Sequence, residues 1–151
     1  MSNTPVRSVL AAGLFALAGA AWAAAPVAVS DPYARAVPPG QPNSAVFMTL
    51  TNQSDQARAL VAATSPAAKT VELHTHVNDG GVMRMRRIER IDIPAGGSAQ
   101  LKPGGLHVML IGLTGDLTPG GQVALALTFD DGSEIQVQAP VRTIEAPRAA
   151  H

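Results

Sequence analysis

The chain has 151 residues, its 11 Lys and Arg balanced by 11 Asp and Glu, and it contains no cysteine. A single domain of this size buries enough apolar surface to stand without disulfides. The missing thiols exclude a thiolate-held zinc site, an iron–sulfur cluster, covalent c-type haem and a blue-copper centre. The balanced charge gives no overall pull towards nucleic acid or anionic lipid.

Arg7 is the only charged side chain before Asp31, and Val9–Ala21 is an almost unbroken apolar run closed by Ala21-Trp22-Ala23. The run falls short of the roughly 20 apolar residues that a membrane-spanning helix needs. Residues 1–23 therefore read as a secretory signal removed on export, with no stable membrane insertion afterwards. That leaves a β domain over residues 24–144 and a fraying Ala/Pro/Arg-rich tail over 145–151.

Short alternating runs predict strands over Ala28–Val37, Ala45–Thr51, Arg58–Ala63, Thr70–His76, Val82–Ile93, Ala99–Leu101, Leu106–Ile111, Gln122–Phe129 and Glu134–Val141. Turn signals separate them: Pro38-Pro39-Gly40, Asn52-Gln53-Ser54-Asp55, Asn78-Asp79-Gly80-Gly81, Pro94-Ala95-Gly96-Gly97, Pro103-Gly104-Gly105 and Asp130-Asp131-Gly132-Ser133. Only Leu113–Leu117 admits a helical turn. Many short strands at this spacing predict an all-β sandwich or barrel. Arg84, Arg86, Arg87 and Arg90 form a basic cluster whose plain reading is a solvated strand face, the alternative being a steering patch for an acidic partner.

Outside the N-terminal segment the chain has four His and four Met, and six of these fall between His74 and Met109: His74, His76, Met83, Met85, His107 and Met109. Side chains alternate faces along a strand, so residues i and i+2 share a face about 6.6 Å apart. Three strands thus each carry a pair of nitrogen or thioether donors, and neighbouring strands would let one metal draw on all three. Thioethers are soft, neutral donors suited to Cu(I) and poorly suited to Zn²⁺, Mg²⁺ or Ca²⁺. They also avoid the disulfide hazard that a thiolate pair meets in an oxidising compartment. An enzyme is not expected: no G-x-S-x-G elbow occurs and the carboxylates form no evident acid/base pair.

The spacing His74, ten residues, Met85, twenty-one residues, His107, one residue, Met109 resembles the H-x10-M-x21-H-x-M signature of the periplasmic Cu(I) chaperones called PCu(A)C. The flanks Val71-Glu72-Leu73-His74, Gly81-Val82-Met83-Arg84-Met85-Arg86 and Leu101–Leu110 are similar as well. The resemblance implies a cupredoxin-like Greek-key β-barrel in the periplasm, with one Cu(I) held by His74, Met85, His107 and Met109. It also implies delivery towards the CuA centre of a haem–copper (cytochrome c) oxidase, the acceptor being oxidase subunit II or a Sco-type protein. A copper store or scavenger serving tolerance is the alternative use of the same ligands. His76 and Met83 lie outside the signature and are left as supporting or transfer-route candidates, and His151 is the tail's only candidate donor.

Overall fold

A computed structural model describes residues 27–144. The segment read as a secretory signal and the tail from 145 onwards, His151 included, lie outside the described residues. Ten strands follow one another: β1 (Val27–Arg35), β2 (Asn43–Asn52), β3 (Arg58–Thr64), β4 (Ala68–Asp79), β5 (Val82–Ile88), β6 (Ile91–Ile93), β7 (Ser98–Leu101), β8 (His107–Leu113), β9 (Gln122–Phe129) and β10 (Glu134–Arg142). No helix occurs among the described residues. The expected all-β, cupredoxin-like class is the one found.

The strands form one hydrogen-bonded path, β5-β4-β8-β2-β1-β10-β9-β3-β6, with β7 beside β2. β7 and β8 share one edge of β2 in series: Met48 pairs with Leu101, and Val46 with Val108. The path is narrowest where β1 meets β10 in parallel, through Ala34–Val141 and Arg35–Arg142 alone. On either side of that joint the two halves bury their alternating residues in one core. Val46, Met48, Leu50, Val108 and Leu110 come from one half, and Leu60, Ile93, Leu125, Leu127 and Phe129 from the other.

Asn52 ties the halves together where β2 ends. Its buried amide donates to the carbonyls of Gln56 (2.7 Å) and Ile93 (3.1 Å), and its oxygen accepts from the backbone and hydroxyl of Ser54. A buried amide with all its capacity used offsets the cost of its burial and fixes the strand ends.

Two expectations are corrected. Val82–Ile93 is not one strand: the chain leaves β4's edge at Ile88 and changes sides, so that Ile91–Ile93 pairs with β3 instead. Leu113–Leu117 makes no helical turn. The amides of Leu113 and Thr114 donate to the carbonyls of Pro42 (2.8 Å) and Ala67 (2.9 Å), which commits them to neighbouring strand ends.

Candidate metal centre

Alternation along β4 sends Leu73 into the core and turns Glu72, His74 and His76 to the opposite face. In the antiparallel ladder with β8, Glu72 lies opposite Met109 and His74 opposite His107. On the other side of β4, His76 lies opposite Met85. Directly paired residues share a face. The sheet's outer face therefore carries all four signature residues on three adjacent strands, together with Glu72 and His76. Met83 shares that face but sits opposite Asn78, farther out along the β4–β5 hairpin.

The donors are graded in depth. His107 is 2% exposed and Met109 half-buried, whereas Met85 on the edge strand is 51% exposed. An open cleft of about 690 Å³ reaches down to them, walled by Arg35–Pro38 and Gln41, by Asn43, Ser44, Ala45 and Phe47 of β2, and by Pro103-Gly104. His76, Met85, His107 and Met109 line it, and His74 does not. Phe47 backs the His107 ring at 6.2 Å between centroids, and Tyr33 backs Phe47 at 5.3 Å.

Hydrogen bonds set which ring nitrogens hold protons. The Gly105 carbonyl lies 3.0 Å from Nδ1 of His107 and 3.2 Å from Nδ1 of His76. A carbonyl only accepts, and its two lone pairs can serve both rings. Both Nδ1 atoms therefore donate, leaving the Nε2 lone pairs free. At His74 the roles invert: Nε2 donates to a Glu72 carboxylate oxygen 2.7 Å away, so that Nδ1 carries the lone pair. That Nδ1 is buried and has no hydrogen-bond partner among the described residues. A buried, orphaned acceptor costs about 1–3 kcal/mol. The ring itself stands 5.7 Å from that of His107 between centroids, on the sheet face that also carries Met85 and Met109. The carboxylate behind it is the acceptor that metal-binding histidines usually have.

Burial pushes the His107 pKa below its ordinary value of 6.5; the positive forms of His76 and His74 add to the effect, and the bond to Gly105 opposes it. His107 is thus held neutral, the form that binds metal. No group of three or more His, Cys, Asp or Glu side chains is placed to hold one ion among the described residues. A centre here needs its methionines.

Glu72 and the Gly105 carbonyl are the parts that sequence reasoning did not single out. Glu72 carried a signal, since it stands two residues before His74 and alternation puts both on one face. The carbonyl carried none.

A cupredoxin-like all-β domain with a His/Met cleft on one outer sheet face is the class that fold and site define. The chain belongs to the family described as "Putative lipoprotein LpqE-like", which matches residues 27–141. A protein of Leifsonia xyli subsp. xyli, "Putative lipoprotein Lxx21020", is 36% identical over 117 residues, covering 77% of this chain and 69% of its own. An uncharacterised Rickettsia prowazekii protein, RP573, is 31% identical over 100 residues, and the match spans 55% of its length. Among solved structures, "CuI-DR1885" from Deinococcus radiodurans is 40% identical with a TM-score of 0.65, covering 83% of each chain. The "Copper-bound PCuAC domain from PmoF2" is 22% identical with a TM-score of 0.67, covering 82% of this chain and 97% of that one, and it speaks to the fold alone. The relationship to the PCu(A)C proteins read from the signature is thereby upheld.

Proposed function

We propose that this protein is an exported copper chaperone that carries one Cu(I) on His74 Nδ1, His107 Nε2 and the sulfurs of Met85 and Met109. One observation carries the reading: hydrogen bonding leaves a lone pair on each imidazole, on the same sheet face as two thioethers. Four neutral donors, two of them soft, suit a monovalent soft ion and disfavour Cu(II), which prefers tetragonal nitrogen and oxygen ligands. The 40% identical CuI-DR1885, a Cu(I) form, supports the same ion.

Copper is cargo in this reading. The exposed Met85 gives an acceptor's donor atoms a way in, and a weakly held thioether leaves first as the shared-ligand intermediate forms. An exposed ligand at the mouth of an open cleft favours handover over storage, since a store gains from closure. The acceptor we infer is the CuA centre of a haem–copper oxidase, reached through subunit II or a Sco-type protein. Residues 1–23 support export, here to the periplasm, and the relatives described as lipoproteins support export as well.

Anaerobic Cu(I) competition titration of His107→Ala and Met109→Leu tests the site. Each is expected to lose at least about tenfold in affinity, the scale set by roughly 1.4 kcal/mol for one lost donor. Wild-type affinity in both would remove the assignment. Delivery is tested by mixing the Cu(I) form with an oxidase subunit whose CuA site is empty; absent CuA absorption would leave carriage without this acceptor.

A further inference from the structure

We propose that His76 is a fifth copper donor that exchanges with His74, so that the ion rests on an inner ligand set and departs from an outer one. The proposal rests on the Cu(I) reading above. It starts from a mismatch between signature and cleft. His74 belongs to the signature yet does not line the opening; His76 does, together with Met85, His107 and Met109.

The geometry equips His76 for this. Its ring stands 5.2 Å from that of His107, compared with 5.7 Å for His74 and His107. It bonds to the same Gly105 carbonyl, so its Nε2 lone pair is free on the same terms. The turn beneath is held by the Gly105 amide donating to Lys102 O, and the Lys102 amide to Leu106 O, each at 3.0 Å. Met85 lies directly across from His76 in the ladder, and only diagonally from His74. His107, Met85, Met109 and one further imidazole already make a four-donor tetrahedral set, so His74 and His76 act in turn rather than together.

Electrostatics orders the two sets. The Glu72 carboxylate backs His74, whereas the acceptor behind His76 is a neutral carbonyl. A cation is favoured beside the carboxylate, so the His74 set is the resting state and the His76 set the departing one. The step is redox-neutral: the bond from His74 Nδ1 to Cu(I) breaks as the bond from His76 Nε2 forms. Each ring keeps its own N–H, and no proton is transferred.

The test compares the full chain with His76→Gln and His74→Gln, reading Cu(I) affinity by competition and transfer rate to bathocuproine disulfonate by stopped flow. His76→Gln is expected to keep affinity close to wild type and to slow transfer about tenfold or more, because a route on the exchange barrier is lost. His74→Gln is expected to lose affinity without slowing transfer. Unchanged transfer in His76→Gln would overturn the exchange, and so would a loss of affinity matching that of His74→Gln, which would make His76 a permanent ligand. His76→Asn repeats the measurement should the Gln variant fold poorly. Failure of the copper reading itself shows separately, as wild-type affinity in His107→Ala.

Discussion

Glu72 touches no proposed donor atom, yet its oxygen 2.7 Å from Nε2 of His74 decides which nitrogen of that ring faces the site. Removing it lets the ring rotate or change tautomer and deletes a negative charge beside the cation. Outer partners of this kind are typically worth 10–100-fold in metal affinity. Glu72→Ala should therefore weaken Cu(I) binding by roughly tenfold or more, and Glu72→Gln, which keeps an accepting oxygen, by less. Competition titration of the two variants checks it; equal affinities in Glu72→Ala and wild type would remove the tautomer argument for His74. That the four signature residues would share one sheet face was legible in the sequence, because residue types, spacings and strand alternation are written there. Which imidazole nitrogen is free was not, because it depends on a carbonyl and a carboxylate that meet the rings only after three strands pair.

Among the elements, β8 carries two of the four proposed donors and pairs with both β2 and β4. Gly112 sits in it with φ +72, and a Cβ built there would lie 3.3 Å from Lys69 Cβ. Its amide donates to Asn43 Oδ1, which joins this kink to the start of β2. A side chain in the left-handed region costs roughly 1–2 kcal/mol, and the close approach to Lys69 adds to that. Gly112→Ala should lower unfolding stability by about that much, and a urea midpoint equal to wild type would mean that the strand relaxes freely. Alternation in β4, β8 and β9 was readable because one face of each is core. The break at Glu89-Arg90 was not, since β5 is a solvated edge strand whose Val82, Met83 and Met85 are exposed. A strand without a buried face carries no periodic mark of where it stops.

For the whole molecule, the deep donor links copper, protons and folding. Burial lowers the His107 pKa in the native state below the ordinary 6.5. As pH falls through the unfolded value, the unfolded chain takes up a proton that the folded chain resists. Stability is thus fully present above pH 6.5 and falls as pH drops towards the folded pKa, by at most about 1.4 kcal/mol per pH unit for one proton. In the proposed site Cu(I) takes the same lone pair, so preferential binding to the folded state would add stability by up to RT ln(1 + [L]/Kd) and compete with protonation. Anaerobic urea unfolding at pH 7.5 and 5.5 should show the apo protein weakened at the lower pH and the copper form more stable than the apo form at both. The pH-dependent loss should shrink in apo His107→Gln, which has no imidazole to bury. An apo slope that survives that substitution intact would place the proton elsewhere and break the link between the site's depth and the stability of the fold.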